Sequence, residues 1–163
     1  MKPRLISLLS FCCLLLVFSG SSFAQSQVIT ESDVLALMNS VDKATRKKNL
    51  AGMIAPLASD VKIKLAVSAP GSDKEQVVNL NKEQYVSVTR RTLRQRFTYT
   101  MDRKNTRVKL YDDNKTAMIT SDLYETATAA QVKLRAVSSE TAIVTLRDGK
   151  LVFISIESRM RFY

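Results

Sequence analysis

Asp122 is the acid whose setting most needs a reason. It stands in the run TAMITSDLYET, where Asp has poor strand propensity, and shares an alternating face with Met118, Thr120 and Tyr124. If that face lines an enclosed space, loss of water raises the carboxyl pKa and makes Asp122 a candidate acid or base. The plainer expectation is an outer-face residue, or one paired with an Arg on the next strand. Glu140, beside Ser138-Ser139, is a second candidate acid with the same plain alternative. Tyr85, Tyr99, Tyr111 and Tyr124 could offer hydroxyls to a ligand, although aromatic residues at such positions more often fill a core. Arg96 falls within the apolar arc of a helix, so it either snorkels from the helix end or reaches a pocket.

Composition narrows the chemistry further. The 163 residues include no His, which excludes Ser-His-Asp and Cys-His machinery, HExxH zinc sites and imidazole proton shuttles. Both cysteines, Cys12 and Cys13, sit in the opening apolar run. No cofactor or metal is expected.

That opening, MKPRLISLLSFCCLLLVFSGSSFAQ, reads as a secretory signal peptide over residues 1–24. Lys2 and Arg4 give a basic start, Leu5 to Phe18 are apolar, and small residues Ser22 and Ala24 precede a cut between Ala24 and Gln25. The apolar run is shorter than the roughly 20 residues a bilayer-spanning helix needs. The expectation is therefore export to a periplasmic or extracellular space, with no stable membrane insertion after cleavage. Losing Lys2 and Arg4 lowers the formal charge from +10 to +8, and losing both cysteines leaves no disulfide or thiolate site. Hydrophobic residues at 45% and charged residues at 25% suit one globular domain.

The mature chain alternates between two periods. After a polar leader, 25–30, Thr30 reads as an N-cap, and Val34, Leu37, Met38, Val41 and Ala44 form one helical face to about Lys48. Arg46, Lys47 and Lys48 suit the negative end of that helix. A short helix follows over Leu50–Leu57, and then Val61, Ile63, Leu65 and Val67 alternate as a strand. A turn leads to a second strand around Val77–Leu80. Asn81 caps a third helix, with Gln84 as capping-box partner and Tyr85, Val86, Val88, Leu93 and Phe97 on one side. Four long strand runs complete the chain at 98–111, 116–128, 132–146 and 151–163, with Asp148-Gly149 as a hairpin signal. Ser138-Ser139 breaks the alternation and reads as a bulge, which implies a strongly bent sheet.

Helix, short helix, hairpin, helix and four long strands, carried by NLAGMIAPLASDVKIKLAV, NKEQYVSVTRRTLRQ and RDGKLVFISIESRMRF, resemble the nuclear-transport-factor-2-like superfamily with its SnoaL-like cyclases and ketosteroid isomerases. The resemblance spans residues 31–163. It implies an α+β fold, a cone-shaped roll of about three N-terminal helices on a strongly bent, mostly antiparallel sheet of about six strands. The open end of such a cone often holds a small molecule. The isomerase-like members use a carboxylate base soon after the first strand, with Tyr and a protonated Asp as oxyanion hole. Here Leu65–Ala66 stand where the base would be, Thr141, Ala142 and Ile143 where the acid would be, and the first helix has no Tyr.

The leading expectation is an exported, non-catalytic module that binds a small apolar ligand or a protein partner. The alternatives are a SnoaL-like isomerase, cyclase or dehydratase using Asp122 or Glu140, and a homodimeric subunit of an envelope assembly. Arg90, Arg91, Arg94, Arg103, Lys104, Arg107 and Lys109 would be solvated faces, or a surface weakly attracted to an anionic envelope. Nucleic acid is not expected as a partner, since the basic stripe lacks interleaved aromatics.

Overall fold

A computed structural model describes residues 28–69, 71, 74–130 and 132–163. The signal segment and its cut at Ala24 and Gln25 lie outside the described residues.

Helix α1 (Glu31–Arg46) starts where the sequence indicates. Thr30 accepts from the Asp33 backbone N–H while the Asp33 carboxylate accepts from the Thr30 N–H, a complete capping box. The leader is anchored at its end, since Ile29 is buried and its N–H reaches the Asn114 carbonyl at 3.0 Å. Ile29 and Val34 occupy the two positions of a hydrophobic staple and share one core cluster. At the other end Lys48 takes φ 52°, with its N–H on Thr45 O and the Asn49 N–H on Ala44 O. This is a Schellman ending with Lys where Gly is usual. Helix α2 (Leu50–Ile54) lies close on α1 through Gly52, where an added Cβ would stand 2.8 Å from the Ala44 Cβ.

The strands are β1 (Leu57–Ser68), β2 (Glu75–Leu80), β3 (Thr98–Leu110), β4 (Thr116–Ala129), β5 (Val132–Arg147) and β6 (Lys150–Phe162). Helix α3 (Lys82–Leu93) joins β2 to β3, capped by Asn81 and Gln84 as the sequence indicates. The six strands form one sheet in the order β2-β1-β6-β5-β4-β3, antiparallel except for the β1–β6 pair. The fold is thus α+β, with the helices packed on a mostly antiparallel sheet. Asp148 and Gly149 both have positive φ, as a two-residue turn between β5 and β6 requires.

The bulges differ from the expected one. Pairing between β4 and β5 runs without a break through Ser138 and Ser139, so no bulge lies there. Ser138 instead continues the inward set of β5 and is fully buried, because its hydroxyl is satisfied by the Glu125 carboxylate at 3.2 Å. The pairing is irregular elsewhere: the β1–β6 register shifts between Leu57 and Lys62, and two bulges sit in β3 and β6. One inserts a residue into β3 between Lys104 and Arg107, with Asn105 at φ 53°. The other inserts Ile154 into β6, between the pairs Ile143–Ser155 and Val144–Phe153. Each bulge reverses which parity of its strand points inward, and bends the strand.

The filled core occupies one half of the space between helices and sheet. Val34 and Met38 of α1 belong to one buried cluster with Ile63, Ile119, Val144 and Phe153 of the sheet. Over the other half lies α3, which has an apolar side but no fully buried residue, its Tyr85 packing half-buried against the cluster.

Candidate functional site

What α3 covers is open volume. A cavity of about 530 Å³ lies between it and the sheet, within the usual range of small-molecule sites of roughly 300–1,000 Å³. Tyr85, Val88 and Leu93 of α3 face it from one side, and Leu123, Ala127 and Ala136 of the sheet from the other. Val88 is 44% exposed and Leu134, also at the cavity, is 49% exposed. Apolar side chains left exposed on one concave face suit contact with an apolar molecule.

Polar groups enter this cavity from three elements. Asp42 stands on α1 at the spacing Val34, Met38, Asp42, so the period that buries the first two also buries the carboxylate. Arg103 is on β3, in line with Tyr99 and Met101, and Glu140 is on β5, in line with Ser138 and Ala142. The Arg103 fork donates to Asp42 through Nε at 3.0 Å and Nη2 at 2.9 Å, and through Nη1 to Ser121 and Glu140 at 2.5 Å each. Side-chain exposure is 11% for Arg103 and 5% for Asp42, so each charge depends on the other for what water no longer supplies. Burial works against the charge on Arg103, but its hydrogen bonds to Asp42 and the nearby Glu140 outweigh it, and the pKa lies above the ordinary arginine value. With both of its edges engaged, this guanidinium is not a free anion site.

A second polar group lies one diagonal away on the same face. Tyr99 donates its hydroxyl to Glu125 Oε1, and Ser138 donates to Glu125 Oε2. Burial is the main cause raising the Glu125 pKa above the ordinary glutamate value, and the neighbouring Glu140 charge adds to it. Tyr99 and Tyr85 are also raised, each mainly by burial, so both keep their protons at any physiological pH. Chemically this is a carboxyl whose burial favours its protonated form, fixed by a permanent phenol donor, in apolar surroundings. No group of three or more His, Cys, Asp or Glu among the described residues could hold a metal ion.

The candidates named from sequence divide between the two faces. Glu140, Tyr85 and Tyr99 line the cavity. Asp122 does not, because the inward set of β4 is Ile119, Ser121, Leu123 and Glu125. On the opposite face Asp122 accepts from Asn105 Nδ2 at 2.7 Å and Ser139 Oγ at 3.3 Å, so it serves the β3 bulge. Tyr124 shares that outer face, with the Lys104 Nζ 5.1 Å from its ring centroid. Tyr111 is exposed beyond the end of β3. Arg96 is exposed past the end of α3, since the helix stops at Leu93 and no apolar arc extends that far. Arg103, expected on an outer basic surface, is the buried centre of the polar cluster. Asp42 and Glu125 were not among the sequence candidates. Asp42 carried a signal, a carboxylate in the middle of an apolar helical stripe.

Among solved structures, similar folds cover most of the chain. An NTF2-like protein of unknown function from Pseudomonas putida is 15% identical, with a TM-score of 0.62 over 82% of this chain and 89% of that one. A ketosteroid isomerase-like protein from Erwinia carotovora atroseptica is 16% identical, with a TM-score of 0.59 over 79% and 94%. A hexachlorocyclohexane dehydrochlorinase is 12% identical, with a TM-score of 0.62 over 81% and 86%. No family model matches the chain, and no curated protein matches its sequence. At these identities the likeness is one of fold, and the fold is the nuclear-transport-factor-2-like α+β roll.

Proposed function

We propose, from this fold and its cavity, that the protein is a ligand-binding module that holds one small, mainly apolar molecule between α3 and the sheet. The observation that carries this reading is α3 itself, a well-capped helix whose apolar side faces open volume instead of a filled core. A helix gains most of its stability from burying such a face, so the arrangement makes sense when a ligand supplies the missing contacts. The full engagement of Arg103 by Asp42, Glu140 and Ser121 favours a structural role for that cluster over a catalytic one. The opening segment supports a mature form, residues 25–163, that is exported to a periplasmic or extracellular space.

Native mass spectrometry of the protein, purified from the exported fraction of its own host, tests this reading. A reproducible added mass, lost on organic extraction, is the expected result. A bare mass, together with failure to enhance the fluorescence of N-phenyl-1-naphthylamine, would overturn it.

One observation favours a second reading. Glu125 combines a raised pKa, a fixed phenol donor and apolar surroundings, the conditions for proton transfer on a bound carbon acid. The fold is shared with a dehydrochlorinase and an isomerase-like protein, so it accommodates such chemistry. Turnover of a substrate that Glu125→Gln abolishes, with binding retained, would establish this reading over the first.

A further inference from the structure

The cavity opens at one end of the sheet, and positive charge is gathered there. Thr98 at the start of β3 pairs with Thr128 of β4, Ala129 with Val132 of β5, and Ala136 with Phe162 of β6, so these strand ends form one rim. The ends of α1 and α3 reach the same rim. Lys48 donates to the Phe97 carbonyl and sits 3.8 Å from the centroid of the Phe97 ring, while Leu93 leads through Phe97 into β3.

The ends of α1, α3 and β3 to β6 at this rim are rich in bases and free of acids, while the β1–β2 pair, where Ser68 pairs with Arg161 and with Glu75, brings one acid. Residues 84–101 contain Arg90, Arg91, Arg94 and Arg96, and no Asp or Glu. Residues 126–139 add Lys133 and Arg135, residues 158–163 add Arg159 and Arg161, and neither stretch has an acid. Residues 43–59, around the end of α1, carry Lys43, Arg46, Lys47 and Lys48, again without one. Among the described residues, the one salt bridge made by this whole group is that of Arg159 to Glu75. Next to the apolar lining, Arg94 follows Leu93 and Arg96 precedes Phe97, whereas Lys133, Arg135, Arg159 and Arg161 alternate with the lining residues Leu134, Ala136, Met160 and Phe162 and so stand on the outer face of the sheet.

Inside the cavity the sign reverses. Asp42, Glu125 and Glu140 face the single guanidinium of Arg103. An anionic group pushed inward would meet carboxylates in a poorly screened space, whereas at the rim it meets unpaired guanidiniums that suit carboxylate and phosphate. A cationic headgroup would be opposed at the same rim.

We propose that the cavity takes an anionic amphiphile tail first, its chain among the apolar walls and its carboxylate or phosphate held outside by Arg94 and Arg96, which flank the lining residues Leu93 and Phe97. This rests on the ligand-binding reading above and adds the ligand's charge and orientation. Such a molecule could come as a free fatty acid from solution or as an anionic phospholipid from a bilayer.

The test displaces N-phenyl-1-naphthylamine from the protein with three probes of equal chain length, dodecanoate, dodecanol and dodecyltrimethylammonium. Dodecanoate is expected to act at roughly tenfold lower concentration than dodecanol, the gap expected of an added charge-assisted contact. The ammonium probe should be weakest, and raised salt should narrow the differences. The variant Arg94→Gln/Arg96→Gln should lose the preference for dodecanoate while keeping its affinity for dodecanol. Equal potency of the three probes, a preference for the cation, or an unchanged preference in the double variant would overturn the proposal. If the fluorescent probe and dodecanol both fail to bind, the ligand-binding reading itself has failed. Vesicles distinguish the sources: uptake of labelled phosphatidylglycerol but not phosphatidylcholine indicates the bilayer, and dodecanoate binding without such uptake indicates the free acid.

Discussion

Arg103 of β3 and Asp42 of α1 meet across the cavity as a two-point pair, with Nε 3.0 Å from Oδ2 and Nη2 2.9 Å from Oδ1. This pair ties the first helix to the edge of the sheet at the place where the core gives way to open volume. Its energetics follow from burial. Removing one member strands the other, which typically costs about 3–5 kcal/mol, whereas a well-packed apolar replacement of the whole group can be nearly neutral.

Arg103→Met should therefore lower the unfolding free energy by about 3 kcal/mol or more, since it leaves both Asp42 and Glu140 without their cation. Asp42→Asn/Arg103→Met/Glu140→Gln should recover a large part of that loss. Urea unfolding of the two variants is the measurement, and a triple variant no more stable than Arg103→Met would contradict the argument.

Glu125 and the capping acids should respond to pH with opposite signs. The folded-state pKa of Glu125 is raised, so its favourable contribution is complete below the ordinary glutamate pKa and is lost as pH rises through the folded value. Glu125→Gln should accordingly gain on the parent protein as pH rises from the ordinary glutamate pKa through the raised folded value, then run parallel to it. Asp33 and Asp60 have lowered values, held by hydrogen bonds from Thr30 and Arg147 respectively. Their contributions are present above the ordinary aspartate pKa and lost as pH falls through the folded values. Thermal unfolding across this range separates the two trends, and a Glu125→Gln difference independent of pH would argue against the buried-carboxyl assignment.

Lys48 combines a costly backbone with a useful side chain. Its φ of 52° suits Gly, but its ammonium bonds the Phe97 carbonyl and covers the Phe97 ring. Lys48→Ala keeps the backbone cost and loses the contacts, while Lys48→Gly loses the contacts and removes the cost. The Gly variant should be more stable than the Ala variant by about 1 kcal/mol. Equal stabilities would mean that the segment relaxes out of the left-handed region.

Ala127→Phe should fill the cavity without disturbing the folded core. Ala127 lines the open half, and the added ring would occupy volume that no side chain now uses. The expected result is an unchanged or higher melting temperature with loss of N-phenyl-1-naphthylamine binding. Retained probe binding would place the apolar site elsewhere.

Much of the fold was legible because its signals are local. The N-cap at Thr30, the capping box at Asn81–Gln84, the Asp148-Gly149 turn and the four long strands each depend on residues a few positions apart. The site was less legible because it depends on parity, which one inserted residue reverses. In β4 both alternating sets mix polar and apolar residues, Ile119, Ser121, Leu123 and Glu125 against Met118, Thr120, Asp122 and Tyr124, so periodicity alone does not choose the inner face. The bulge at Asn105 leaves Arg103 inward while Arg107 and Lys109, of the same parity, stay out, and nothing in this basic run announces which one is buried. Asp42 was the exception, since its helical spacing already placed it on the buried stripe.

The bulge at Asn105 also decides how this sheet can meet another. Strand β3 is one of the sheet's two outer borders, and there the kink interrupts the row of backbone groups that a neighbouring strand would need, with exposed Lys104, Arg107 and Lys109 spaced along it. The other border, β2, has no such interruption in its pairing with β1 and exposes Val77 at 50% and Val78 at 47%. Growth of the sheet by a foreign strand, whether in assembly or in misassembly, is blocked at β3 and left to β2.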